Sequence, residues 1–191
     1  MRRLSPSPSP LRLDMAPHII DAMGLRDTLE TAHRTLEAAA INHALIGGLG
    51  LAMLGIHRAT FDVDLLIDGK EKAKAKAALE TAGWKLAMET EEVMHFDGRG
   101  RVDFLLANRP LGLEMLMESL PSKTGIKCVS AEGIIGLKIQ AYKNDSEREL
   151  QDKADIKALI DSDSNLDWKR IKKYADLFGE WPFVQSLRKK K

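Results

Sequence analysis

The sequence predicts an α/β domain that gives way to an all-helical C-terminal region. Up to about residue 129, apolar runs of strand length alternate with stretches of helical periodicity. A glycine pair stands between the first such run and the helix that follows it. Beyond residue 130 three consecutive segments carry helical periodicity, and no strand pattern returns.

The elements follow in chain order. "SPSPSP" places a residue without an amide donor at every second position, so residues 1–16 are expected to form a disordered arm. "DTLETAHRTLEAAA" has apolar residues at helical spacing behind a capping aspartate and predicts a helix over 27–40. "HALIGG" reads as a short buried strand ending in a glycine turn. A short helix, "LGLAMLG", and a strand, "FDVDLLI", come next, and a Lys/Ala-rich helix is expected over 71–82. The segment 84–107 reads as a β-hairpin turning at Asp97-Gly98, because that dipeptide tolerates the positive φ of a tight turn. A short strand, "GIKCVS", closes the α/β part. Helices are expected over 131–142, 147–160 and 166–178. The organisation is an arm over 1–16, an α/β domain over 17–129, a helical region over 130–187 and a basic tail over 188–191.

Composition narrows the class. With 191 residues, 44% of them hydrophobic, the chain has enough apolar surface for a real core. Charged residues interrupt every apolar run well before the roughly 20 residues a bilayer span requires, so no membrane association is expected. The single cysteine, Cys128, has no disulfide partner within the chain and reads as a small core residue, which suits a cytoplasmic protein. The net charge is +1, with basic residues gathered at the ends around a mildly acidic body. The five histidines show no H-E-x-x-H or related spacing, so no histidine-bound zinc site is predicted. "WKRIKKYADLF" mixes basic and aromatic residues but reads first as a solvated helix face.

Side chains alternate along a strand, so Phe61, Val63, Leu65 and Ile67 are expected on one face and Asp62 and Asp64 together on the other. Neighbouring carboxylates raise one another's pKa unless a cation sits between them. A divalent ion that prefers hard oxygen, Mg²⁺ above all, satisfies this pair; the alternative is an edge strand showing both acids to solvent. Asp103, the one acid in "VDFLL", can join them if its strand lies alongside, or can answer Arg101 or Arg99 instead. Three carboxylates around two metal ions form a site for phosphoryl or nucleotidyl transfer.

The pair Gly47-Gly48 permits a tight strand-to-helix turn whose amides can cradle phosphate, or serves close packing alone. A dinucleotide fingerprint fails because Met53 stands where Gly or Ala is needed, and a P-loop fails because Ile56 and His57 stand where Lys and Ser/Thr are needed. In the helical half, Lys138 falls in the middle of the apolar arc of Ile134, Leu137, Ala141 and Tyr142. Asp152 and Asp155 share a stripe with Ile156, Leu159 and Ile160. Charges on a core-facing surface need partners, and these three are candidates to pair with one another or to serve a site.

The run Ile46-Gly47-Gly48, thirteen residues, then Asp62-Val63-Asp64-Leu65, with Asp103 as a later third acid, resembles the nucleotidyltransferase superfamily of DNA polymerase β-type folds. "HRATFDVD" and the late Lys…Asp-x-x-Asp helices are most similar to its AbiEii/MenA-like toxin branch, and Arg148 stands four residues before Asp152, near where that branch often has an arginine. The resemblance implies a mixed sheet flanked by helices, with a C-terminal helical region. It implies an NMP transferred from an NTP to an acceptor hydroxyl, with a tRNA 3′ end as acceptor and a cognate antitoxin as partner. Asp62, Asp64 and Asp103 would hold two Mg²⁺ ions, with Mn²⁺ as a substitute. Asp103 would also act as base, and Lys138 would join the catalytic set. Gly47, Gly48, Arg58, Thr60, Lys138, Asp152 and Asp155 would bind the nucleotide. Other branches of the fold suggest an aminoglycoside-type small-molecule adenylyltransferase, and a non-catalytic regulatory protein of the same fold is a third reading.

Overall fold

The computed structural model describes residues 24–122 and 124–188. The arm expected over 1–16 and the last three residues of the basic tail lie outside the described residues. Chain order is α1 (Leu25–Ala38), β1 (His43–Leu45), α2 (Gly47–Met53), β2 (Asp62–Asp68), a 3₁₀ turn (Gly69–Glu71) and α3 (Lys72–Thr81). Strands β3 (Lys85–Glu89), β4 (Val93–Asp97) and β5 (Arg101–Ala107) follow, then α4 (Pro110–Met117), β6 (Leu120–Pro121) and β7 (Lys127–Cys128). The C-terminal region holds α5 (Ala131–Asn144), a 3₁₀ turn (Ser146–Arg148), α6 (Glu149–Ser162), α7 (Trp168–Asp176) and α8 (Trp181–Ser186).

The seven strands form one mixed sheet in the order β3-β4-β5-β2-β1-β7-β6. β2 runs parallel to β5 and β1 parallel to β7, while the remaining neighbours are antiparallel. Segment 84–107, expected as one hairpin, forms a three-stranded meander instead. Its additional turn follows Thr90, whose Oγ1 accepts from the amides of Glu92 and Val93. This side-chain bond substitutes for ladder hydrogen bonds and breaks the strand. The expected turn at Asp97-Gly98 is present, with Gly98 at φ 133°.

Helix α1 packs on β2, β5 and α3, whereas α4 packs on β5 and β2 and α2 packs on β2. Val63, Leu65 and Ile67 are fully buried, as the alternation requires. Phe61 does not join them: it is 68% exposed, because β2 begins at Asp62 and the alternation has no hold on the residue before it. Helix α5 packs against α2, α6 and α7, which carries the helical region onto the glycine turn. Cys128 is buried, and burial pushes its thiol up to about 12, consistent with a core role. No helix among the described residues is long and apolar enough to cross a membrane.

Candidate active site

The parallel pairing of β2 with β5 decides where the acids meet. Its register sets Asp62 beside Arg101 and Asp64 beside Asp103, and the antiparallel β4–β5 register sets His95 beside Asp103. Directly paired residues share a sheet face, so Asp64, Asp103 and His95 form a row across three strands. Asp62, two residues before Asp64, projects from the same face. Each of the three carboxylates offers an oxygen, and these oxygens all lie within 4.8 Å of one another.

Such crowding has an electrostatic signature. The Asp64 carboxyl is pushed up to about 6, chiefly by burial and then by the charges of Asp62 and Asp103. Arg148 and a hydrogen bond from the Gly48 amide pull in the opposite direction. Three carboxylates with a raised pKa among them form a hard-oxygen donor set that suits a divalent cation.

The glycine turn holds this set in place. Gly47 has φ 58°, and a Cβ built there would lie 1.9 Å from Oδ2 of Asp64. A Cβ at Gly48 would lie 2.4 Å from Oγ1 of Thr60, which itself donates to Oδ1 of Asp62 at 2.9 Å. Both glycines therefore let the backbone pass hard against the acids. The Gly48 amide, a candidate phosphate donor in the sequence, is bound to Asp64.

Asp103 has its own company. Nε of Arg101 donates to both its oxygens at 3.3 and 3.2 Å, and this pairing raises the Arg101 pKa further. Nδ1 of His95 lies 2.7 Å from Oδ1 of Asp103, out of line for a hydrogen bond.

Opposite the acids stands a cationic wall from the helical region. Nζ of Lys138, 5% exposed, lies 2.8 Å from Asp152 and 2.6 Å from Asp155. Arg58 reaches Asp155 at 3.2 Å and Arg148 reaches Asp152 at 3.3 Å. Three cations thus surround two buried carboxylates, leaving an excess positive charge that faces the three acids of the sheet.

Acids and cations line one cavity of about 510 Å³. Gly47, Arg58, Thr60, Asp62, Asp64, Asp103 and Lys138 all line it, whereas Gly48, Asp152 and Asp155 stand behind the lining. The latter two orient Lys138, Arg58 and Arg148. The cavity also includes Phe61, which alternation assigns to the face opposite Asp62, His95, which no local pattern marks, and Arg101, expected only as a possible answer to Asp103. "WKRIKKYADLF" presents Lys169, Lys172 and Lys173 to solvent, as expected of a solvated face, with Lys173 paired to Glu114, Lys172 to Asp176, and Arg170 to Tyr174 and Glu118.

No protein-family model matches the chain, and no curated protein matches it. Among solved structures, the chain is similar to the antibiotic-resistance factor ANT(2'')-Ia in solution, with a TM-score of 0.52 at 15% identity over 85% of this chain and 88% of that one. The crystal structure of ANT(2")-Ia in complex with adenylyl-2"-tobramycin gives 0.50 at 15% identity, over 85% of this chain and 93% of that one. The lincosamide antibiotic adenylyltransferase LnuA gives 0.45 at 17% identity, over 71% and 94%. At such identity the first two establish the fold alone: a nucleotidyltransferase-type mixed sheet flanked by helices with a C-terminal helical region, as expected from the sequence.

Proposed function

We propose that the chain is a metal-dependent nucleotidyltransferase, moving an NMP from an NTP to an acceptor hydroxyl with release of pyrophosphate. One observation carries this reading. Oxygens of Asp62, Asp64 and Asp103 converge within 4.8 Å of one another in a cavity whose other wall is cationic. Acids alone make an ordinary polar surface; acids facing arginines and a buried lysine suit a metal-bound polyphosphate.

Each residue then has a role. Asp62, Asp64 and Asp103 would hold Mg²⁺, or Mn²⁺ in its place, and the clash that any Cβ at Gly47 would cause shows how closely the backbone cradles Asp64. When bound, the ions lower the pKa of the attacking hydroxyl and neutralise the polyphosphate. Asp103 accepts the proton of the acceptor hydroxyl, and Nε of Arg101, donating to both its oxygens, orients the carboxylate for that task. Thr60 orients Asp62 through its hydroxyl. Arg58, Arg148 and Lys138 stabilise negative charge that develops on the departing pyrophosphate, while Asp152 and Asp155 fix where those cations point. Phe61, exposed at the cavity beside Asp62, offers a ring for stacking a base.

For the acceptor we infer an RNA 3′ end, such as that of a tRNA, within a toxin–antitoxin system. The support is the likeness of "HRATFDVD" and of the Lys138, Asp152 and Asp155 pattern to the AbiEii/MenA-like branch. A second reading, adenylylation of a small polyhydroxylated molecule, is favoured by the similarity in fold and extent to ANT(2")-Ia, solved with adenylyl-2"-tobramycin. Labelled NTPs with Mg²⁺, offered first total RNA and then a panel of aminoglycosides and lincosamides, separate the two. Label in RNA supports the first reading and label in an antibiotic the second. No transfer from any NTP to either acceptor, with no Mg²⁺-dependent NTP binding, overturns both.

A further inference from the structure

A second cluster of metal-ligating side chains lies away from the aspartates, where α1 meets β1. His33 and Glu37 stand four residues apart on α1 and so share one helix face. His43 opens β1 and pairs with Ile67, at the opposite end of β2 from Asp62. One ligand atom from each of the three lies within 4.8 Å of the other two.

Hydrogen bonds fix which nitrogens are available. Nδ1 of His43 lies 2.8 Å from the Ile41 carbonyl, an acceptor only, so Nδ1 carries the proton. In the neutral ring Nε2 then holds a lone pair, aimed at Nδ1 of His33 2.8 Å away. Burial disfavours the charged ring: His43 is 3% exposed and its pKa is lowered, first by desolvation. A buried imidazole whose far nitrogen donates to a backbone carbonyl has the tautomer and orientation of a metal-bound histidine. Glu37 is exposed and gives the cluster a route to solvent.

We propose that His33, Glu37 and His43 form a binding site for a borderline divalent transition ion of the Zn²⁺ type, clipping α1 to β1. The ligands are Nδ1 of His33, a carboxylate oxygen of Glu37 and Nε2 of His43, with water completing a tetrahedron. Binding replaces the imidazole–imidazole hydrogen bond: the His33 proton moves from Nδ1 to Nε2, which frees Nδ1 for the ion. The two nitrogens separate by about half an ångström, to the roughly 3.3 Å edge of a tetrahedron with bonds of about 2.0 Å. Two imidazoles and a single carboxylate favour zinc-type ions, whereas the three carboxylates of the larger cavity favour harder ones. No sequence motif marks this site, because two of its ligands lie on a helix and the third on a strand, a spacing no single-helix motif contains.

The test titrates metal-stripped full-length chain with Co²⁺ and then Zn²⁺. One equivalent of Co²⁺ with the strong visible absorption of a tetrahedral site is expected, displaced by Zn²⁺. At a hundredfold excess over its Kd, Zn²⁺ is expected to raise the Tm by about 5–10 °C. His33→Ala and Glu37→Gln each weaken binding tenfold or more and cut the Tm shift to about half or less, whereas Asp64→Asn leaves both unchanged. Glu37 is exposed, so its variant keeps the test decisive even if His33→Ala folds poorly. Tetrahedral Co²⁺ absorption that survives both variants, that disappears in Asp64→Asn, or that never develops overturns the proposal.

Discussion

A Cβ at position 47 would lie 1.9 Å from Oδ2 of Asp64, so the glycine turn and the central carboxylate occupy a space in which one excludes any growth of the other. Gly47→Ala imposes that clash on a residue at φ 58°, where a side chain adds strain of about 1 kcal/mol or more. Stability is expected to fall by about 1–3 kcal/mol. Transfer activity is expected to fall about 100-fold, since an ångström of displacement at reacting groups has that effect. Urea unfolding and a turnover assay on the same preparation check both. Unchanged turnover would mean that Asp64 is not held by this contact.

The raised Asp64 pKa has a sign that can be worked through. Its folded value, about 6, exceeds the ordinary 3.8, so the folded chain binds more protons than the unfolded chain between those pH values. Stability of the metal-free protein therefore falls as pH rises through that window and is level above it. Asp64→Asn removes the repulsion and still accepts from the Gly48 amide. The metal-free variant is expected to be about 1–3 kcal/mol more stable than the parent at pH 7.5 and no more stable near pH 4. Mg²⁺ should stabilise the parent and not the variant. Denaturant midpoints at the two pH values, with and without Mg²⁺, decide it; a variant less stable at pH 7.5 contradicts the electrostatic reading.

Lys138 sits between Asp152 and Asp155 with almost no exposure, so its removal leaves two buried carboxylates with only Arg58 and Arg148, which are more exposed, to balance them. Lys138→Met is expected to destabilise the chain by about 3–5 kcal/mol. Adding Asp155→Asn to that variant should recover part of the loss, because the second change removes a buried charge left with only Arg58. Additive losses in the double variant, read by denaturant unfolding, would show that the network is not coupled in this way.

What the sequence revealed and what it concealed divide along local and non-local information. Asp62 and Asp64 announced themselves because two acids in an apolar strand break its pattern, and Lys138 did so because it breaks the apolar arc of α5. Both are properties of a few consecutive residues. That Asp103 lies beside Asp64 depends on β5 running parallel to β2 through a three-stranded meander, which no local pattern encodes. His95 entered the cavity through the same register. Phe61 escapes the alternation for the converse reason: it lies one residue before the strand begins. The pairing of Lys138 with Asp152 and Asp155 stood in the sequence as one of two readings, and the ion pairs are present in the structure. Whether the same lysine also meets a polyphosphate rests on its neighbours' free faces.

Phe61 and Arg148 test those free faces without disturbing the fold. Phe61 is 68% exposed, and the Arg148 side chain is 57% exposed on its ion pair with Asp152. The arginine half of this pair is solvated and Asp152 keeps its ion pair with Lys138 at 2.8 Å, so Arg148→Ala is expected to lower stability by only about 1 kcal/mol and Tm by a few degrees. Both residues line the cavity that holds the three acids. Arg148→Ala is expected to raise the KM for NTP about tenfold, with a smaller effect at high salt, where the lost charge is already screened. Phe61→Ala, which removes a stacking surface and no charge, is expected to raise KM by a similar factor at every salt concentration. Initial-rate kinetics across a salt series separate the two. A loss confined to kcat in either variant would place that residue at the reacting atoms, and equal salt dependence in both would remove the stacking role from Phe61.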